Sequence, residues 1–157
     1  MTEIASFRPR PVEPAPSHAP APKTDALPHS IEAEQQILGA ILTNNDVFDR
    51  VAAVIGPQHF FDPVHARIFE VASARIQKNA LASPVTLKAF LDGDEGLREL
   101  GGPAYLARLA GAAISAFAAR DYAQLIHDLA VRRELMALGR KITTGRDSSG
   151  DIILASH

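Results

Sequence analysis

The chain has 157 residues, 46% of them hydrophobic and 22% charged, and its formal net charge is −2. This composition is ordinary for one soluble globular domain, and the absence of cysteine excludes disulfides and thiolate metal sites. The slightly acidic balance argues against autonomous binding of duplex DNA, which requires basic surface. No apolar run reaches the roughly 18 residues of a membrane span, and no secretory signal opens the chain. We therefore expect a cytoplasmic protein without membrane contact.

Residues 1–28 read as a tail, because seven of the 11 prolines lie there with few large apolar residues. Proline at this density disfavours helix and sheet, so we expect an extended, disordered segment. It could serve as a docking peptide or be a bare leader, and the composition favours the leader.

Residues 29–114 predict a helical globule built from short helices. Ser30 is a suitable N-cap, and Glu32 and Glu34 place negative charge in the first helical turn. Further start signals recur along the segment at Asp62-Pro63, Ser83-Pro84 and Pro103. No stretch alternates convincingly with a period of two residues, so we expect no sheet. The fold class is therefore all-α, a small orthogonal helical bundle.

A long last helix is predicted within residues 115–145, running from about 116 to 143 with Ser115 as its cap. At 100° per residue its apolar side chains fall on two sides. One side carries Tyr122, Leu125, Ile126, Leu129 and Met136, and the nearly opposite side carries Val131, Leu135, Leu138 and Ile142. Such a helix should touch two bodies, first its own globule and then another helix or subunit. Residues 146–157 are polar at first and too short for a stable helix, so we expect a truncated or disordered tail.

Residues that could carry chemistry are scattered. No glycine precedes a lysine, so the core of a phosphate-binding loop is absent. His59 and His65 lie six residues apart but lack convergent partners, and we expect His65 to cap or pack rather than bind metal. His127 is expected to be solvated. The acidic cluster Asp92, Asp94 and Glu95 reads as a solvated turn rather than a calcium loop. We predict no catalytic, cofactor or metal site.

Several segments, in order, resemble the N-terminal domain of bacterial replicative DnaB-type helicases between His29 and about Ile142. The first is Ser30–Gly39, and the second, Phe60–Phe69, carries the Asp62-Pro63 start. The similarity continues through Val85-Thr86-Leu87, then Leu97–Leu106 with its Gly101-Gly102-Pro103-Ala104-Tyr105-Leu106 run. It ends in Ser115-Ala116, Tyr122-Ala123 and Arg132-Arg133-Glu134-Leu135. Each fragment is weak alone, but their order is specific.

The resemblance implies a helical globule followed by a helical hairpin whose pairing makes dimers and, from them, a hexameric ring. It also implies docking of the helicase-binding domain of primase, and DNA contact only through the full helicase. ATP and Mg²⁺ would belong to a separate motor domain that is missing here, so the chain itself should not be an enzyme. The second hairpin helix is expected to be absent or cut short after Gly145, so that the long helix is the first arm of a truncated hairpin.

The predicted partner interface on the long helix is apolar with a basic rim. It comprises Val131, Arg132, Arg133, Leu135, Leu138 and Ile142. The expected function is a collar and docking domain in DNA replication. The alternative is a small helical DNA-binding or adaptor protein, which would need a basic recognition helix, and the best candidate segment, 132–141, is interrupted by apolar residues.

Overall fold

The computed structural model describes residues 27–149, with side chains up to Thr143. The predictions for the proline-rich tail fall almost wholly outside this part, as do those for residues 150–157. The described residues form seven α-helices and no strand, which confirms the all-α class. They are α1 (Ile31–Thr43), α2 (Phe48–Ala52), α3 (Pro63–Gln77), α4 (Pro84–Phe90), α5 (Glu95–Leu100), α6 (Pro103–Gly111) and α7 (Ala119–Ser149).

Local start signals fix the beginnings of the helices. The Ser30 hydroxyl accepts a hydrogen bond from the backbone N–H of Ala33 at 3.1 Å, and the carboxylate of Asp62 accepts one from Val64 at 2.8 Å. Ser83 caps α4 in the same way, and proline occupies the first position of α3, α4 and α6. Each cap satisfies a backbone donor that the first helical turn leaves without a partner.

Helix α1 is the centre of the core. It packs against α3, α6 and α7, and its most extensive contact is with α6. Gly39 makes this approach possible, because a Cβ there would lie 1.9 Å from the carbonyl oxygen of Leu109. The core around α1 is aliphatic with a few phenylalanines, and its fully buried side chains include Ile37, Leu38, Ile41, Ile68, Leu87 and Leu106.

The last helix differs from its predicted limits at both ends. A 3₁₀ turn, Ala116–Ala118, precedes it and is capped by Ser115, while α7 itself begins at Ala119. At the other end α7 continues through Gly145 to Ser149, beyond the predicted end near residues 143–145. One glycine inside a helix costs only about 1 kcal/mol relative to alanine, so a polar run after it does not have to end the helix.

Candidate interaction surface

Among the residues whose side chains the structure describes, helix α7 packs against the globule only through its first half. The residues that it buries are small, apart from one isoleucine, and they recur at helical spacing: Ala119, Ala123, Ile126 and Ala130. Every residue from Glu134 to Thr143 is exposed. The helix therefore leaves the globule at about Arg133.

The side of α7 that was predicted to carry Tyr122, Leu125, Ile126, Leu129 and Met136 is only partly buried against the globule. Leu125 is 43% exposed and Met136 is 41% exposed, whereas Ile126, assigned to the same side, is buried. The contact distance between two helices depends on the side chains between them. Alanine was given no weight in the sequence pattern, but the alanines let α7 lie close to α1 and α2 and so choose its buried side.

The four apolar residues predicted as a partner surface do form one row. Val131, Leu135, Leu138 and Ile142 follow one another at intervals of four, three and four residues, which places them on one side of a helix. All four are exposed, Leu135 at 62% and Ile142 at 61%. This is the spacing by which helices pair in coiled coils. We call these four residues the α7 seam.

Arg132 and Arg133 have different surroundings although they are neighbours. Arg132 is exposed, as a rim residue would be. Arg133 is half-buried and donates hydrogen bonds of 2.8 Å to the carbonyl oxygens of Pro28 and His59. Its guanidinium also lies over the ring of Phe61, which stacks on His29. In this chain Arg133 therefore joins α7 to the segment that leads into α1.

A buried polar chain crosses the core near the start of α3. The Glu34 carboxylate accepts backbone hydrogen bonds from Phe61 at 2.6 Å and Asp62 at 3.3 Å. Its Oε1 lies 2.8 Å from Nδ1 of His65, and Nε2 of His65 lies 2.6 Å from the hydroxyl of Tyr105. The donors and acceptors match when Nδ1 of His65 carries its proton and the Tyr105 hydroxyl donates to Nε2.

Gln35 completes this buried network of hydrogen bonds, because its side-chain amide donates to the hydroxyl oxygen of Tyr105 at 3.1 Å. Burial raises the pKa of the Tyr105 hydroxyl. His65, which was expected to cap or pack, is fully buried between two hydrogen-bond partners. Glu34, expected only to favour the helix N-terminus, is the hub of the network, and sequence reasoning missed this role because its partners lie 27 to 31 residues away.

Two further polar residues differ from their predicted surroundings. Asp94 was expected in a solvated turn, but it is mostly buried, caps α5 and forms a two-point ion pair with Arg67. That hydrogen bonding lowers the pKa of the Asp94 carboxyl and raises that of Arg67. His127 was expected to be solvated, yet its Nδ1 is buried without a hydrogen-bond partner among residues 27–143, and its ring faces His59 at 4.9 Å between centroids.

The part of the chain that the structure describes holds no cluster of three or more histidines and carboxylates that could bind a metal. None of its helices has the length and apolar character needed to cross a membrane. The two features that stand out are the exposed apolar α7 seam and the buried hydrogen-bonded network of Glu34, His65 and Tyr105.

Comparison with known proteins agrees with this architecture. Residues 26–128 match the family model of the DnaB-like helicase N-terminal domain. The chain belongs to this family. It is 36% identical over 124 residues to the replicative DNA helicase DnaB of Rickettsia felis, and 35% identical over 131 residues to that of Rickettsia prowazekii. These matches cover 79% and 83% of this chain but only 25% and 27% of the relatives, so the chain spans about a quarter of their length.

Solved structures show the same fold. The N-terminal domain of DnaB helicase from Mycobacterium tuberculosis superposes with a TM-score of 0.72 at 28% identity, covering 80% of this chain and 87% of that one. The N-terminal domain of DnaB helicase from Helicobacter pylori, whose structure was described together with its interactions with primase, gives a TM-score of 0.64 at 20% identity. That match covers 74% of this chain and 90% of the other. The chain therefore shares the fold of these DnaB N-terminal domains.

Proposed function

We propose that this domain is the collar of a replicative helicase, in which it joins subunits to one another and offers a docking surface to primase. The observation that carries the proposal is the α7 seam, an exposed apolar row that begins at Val131 and continues along the helix segment beyond the globule. Single exposed apolar residues are normal, but a contiguous row marks an interaction site.

The energetics favour a helical partner for the seam. A short helix segment without tertiary contacts is only marginally stable in water, so packing against another helix would stabilise both the segment and the contact. Burying four aliphatic side chains contributes a few kcal/mol at about 25 cal/mol per Å², from which the cost of association is subtracted. We expect self-association of the isolated chain to be micromolar or weaker, with dimers as the unit from which a ring would be built.

Measurement of molar mass tests the seam directly. In sedimentation equilibrium the mass of the wild-type chain should rise with concentration, and Leu138→Asp should remain monomeric, because a charge would be buried in the contact. Leu125→Asp is the matched control, since it places the same charge on an exposed leucine of the same helix outside the seam. Equal loss of association in both variants, or no association of the wild type, would contradict the proposal.

Circular dichroism of Leu138→Asp guards against another explanation. Leu138 is 52% exposed, so the variant should keep the helical signal and the unfolding midpoint of the monomer. If it unfolds instead, Leu138 belongs to the core and the seam is not an interface.

Docking of primase is the second part of the proposal, and it is supported by the described interaction of primase with the related Helicobacter pylori domain. Titration calorimetry with the helicase-binding domain of the host's primase should give saturable binding. If the folded wild-type chain gives no binding heat and no change in sedimentation with the primase domain, the docking of primase is wrong. The proposal of self-association would not be affected by that result.

Catalysis is not proposed for this chain. Hydrolysis of ATP with Mg²⁺ and strand separation are proposed to belong to a motor domain of the full-length helicase, because this sequence lacks the glycine-lysine pair of a phosphate-binding loop. The DNA-binding alternative predicts a salt-dependent rise in anisotropy with labelled duplex DNA, and a flat curve at low salt would dismiss it.

A further inference from the structure

A second candidate surface lies away from α7, between the end of α3 and the end of α4. There a cavity of about 210 Å³ is lined by Val71, Ala74, Arg75, Lys78, Ala80 and Phe90. An apolar cavity of roughly 150 Å³ can hold a benzene ring, whereas small-molecule sites usually measure about 300–1,000 Å³. The groove is therefore the size of one large side chain.

Contacts within the domain hold the Arg75 and Phe90 side chains in position at the wall of this groove. Phe90 is 59% exposed, yet the guanidinium of Arg75 lies over its ring at 5.1 Å. Nε of Arg75 donates to the carbonyl oxygen of Leu81 at 2.6 Å, which fixes the guanidinium in that position. A surface held in its binding geometry has less conformational entropy to lose when a partner arrives.

The rim of the groove is positively charged. Arg75 and Lys78 are its only charged lining residues, and neither makes an ion pair within the described part of the chain. An apolar floor with unpaired cations at the edge complements an apolar side chain between carboxylates. The acidic turn at residues 92–95 of a second copy is a poor occupant, because it has no bulky apolar residue and Arg67 already holds Asp94.

We propose that this α3–α4 groove binds an acidic segment of another protein, which inserts one bulky apolar side chain and places carboxylates on Arg75 and Lys78. No residue of α7 lines the groove, so the proposal does not depend on the α7 seam. The two proposals can therefore fail separately. A chain that stays monomeric can still bind the acidic segment through the groove, and a chain that self-associates through the seam can fail to bind it.

The test uses the full chain with labelled methyl groups and the heptapeptide Glu-Asp-Glu-Phe-Glu-Asp-Glu as the probe. Binding should shift the NMR signals of Val71, Ala74 and Ala80. Replacing the peptide's phenylalanine by alanine should weaken binding at least about 10-fold, since the buried ring supplies most of the affinity. A peptide with lysines in place of all six acidic residues should not bind.

Charge reversal at the rim provides the matched variants. Lys78→Glu should weaken binding of the acidic peptide by about 3-fold or more, since one favourable surface pair becomes a repulsive one. Lys88→Glu changes a lysine of α4 that is also exposed but does not line the groove, and it should change the affinity less. Ala74→Phe should fill the groove from an exposed position and abolish binding while the helical signal is retained.

Four results of the peptide experiments would overturn the proposal. They are the absence of binding at millimolar peptide, equal binding of acidic and basic peptides, equal effects of the two lysine variants, and methyl shifts confined to residues outside the groove. Loss of self-association in Lys78→Glu would also overturn it, because the occupant would then be a second copy of this chain.

Discussion

Tyr105 holds the end of the buried hydrogen-bond chain that starts at Glu34, and its hydroxyl contacts both His65 and Gln35. Tyr105→Phe keeps the ring but leaves Nε2 of His65 buried without a partner. A buried group that loses its partner costs about 1–3 kcal/mol, and we expect the free energy of unfolding to fall by that amount in urea titrations.

Tyr122 is the matched control, because it is the other tyrosine of the chain and its hydroxyl makes no hydrogen bond within the described residues. Tyr122→Phe should change the free energy of unfolding by less than about 0.5 kcal/mol. If both variants change the free energy of unfolding equally, the hydrogen bonds of the Tyr105 hydroxyl make no specific contribution to stability.

His59 gives the domain a pH dependence in the mildly acidic range. Burial lowers the pKa of its imidazole below the ordinary value of 6.5, and the facing ring of His127 lowers it further, while Glu134 acts in the opposite direction. The folded state thus binds fewer protons than the unfolded chain. The resulting stability is complete above pH 6.5 and is lost as the pH falls from there through the folded pKa.

His127→Gln tests the contribution of the facing ring. The pKa of His59, followed by NMR titration of its ring protons, should rise in this variant but stay below 6.5, because the burial remains. An unchanged pKa would show that the two rings do not interact electrostatically.

At the level of the helices, two glycines have opposite roles. Gly39 lies where α1 meets α6, and alanine there would drive Cβ into the backbone of Leu109. Gly139 lies in α7 with nothing within 4 Å of an added Cβ. Gly39→Ala should lower the free energy of unfolding by about 2–3 kcal/mol or more, and Gly139→Ala should raise helix stability by about 0.5–1 kcal/mol. Thermal denaturation of both variants checks the pair, and a stable Gly39→Ala would contradict the close approach.

Arg133 joins three parts of the chain, namely α7, the segment before α1 and the turn before α3. Arg133→Ala removes two charge-assisted hydrogen bonds and should cost about 1.5–3 kcal/mol in urea denaturation. Arg132→Ala changes an exposed neighbour and should cost less than about 0.5 kcal/mol. If the two variants are equally stable, the contacts of Arg133 do not hold α7 to the globule.

At the scale of the whole described structure, residues 27–149 form a closed core and one helix that continues away from it. From Glu134 to Ser149 this helix segment is roughly 24 Å long at 1.5 Å per residue. If it pairs through the seam, the melting temperature of the wild-type chain should rise with protein concentration, because association stabilises only the folded state.

Leu138→Asp should remove the concentration dependence of the melting temperature without lowering its dilute limit. Differential scanning fluorimetry over a hundredfold range of concentration measures both quantities. A wild-type melting temperature that is independent of concentration would argue against assembly through α7.

The sequence by itself determined the helical class and most helix starts. The residues that start the helices act on backbone groups within three residues of themselves, so the local sequence predicts their effect. They are Ser30, Asp62-Pro63, Ser83-Pro84 and Pro103. The α7 seam was also readable, because its four residues share one face of one helix. That the seam binds a partner remains a prediction.

Only the tertiary structure decided the contacts between residues that lie far apart in the sequence. Glu34, His65 and Tyr105 meet across 31 and 40 residues of chain, and nothing in their local sequence predicts the meeting. The same holds for Arg133, which sequence reasoning assigned to a partner interface and which contacts Pro28 across 105 residues. The buried face of α7 followed from the packing of small alanines rather than from its largest apolar residues. Helix starts are local because backbone capping is local, whereas burial is a property of the assembled core.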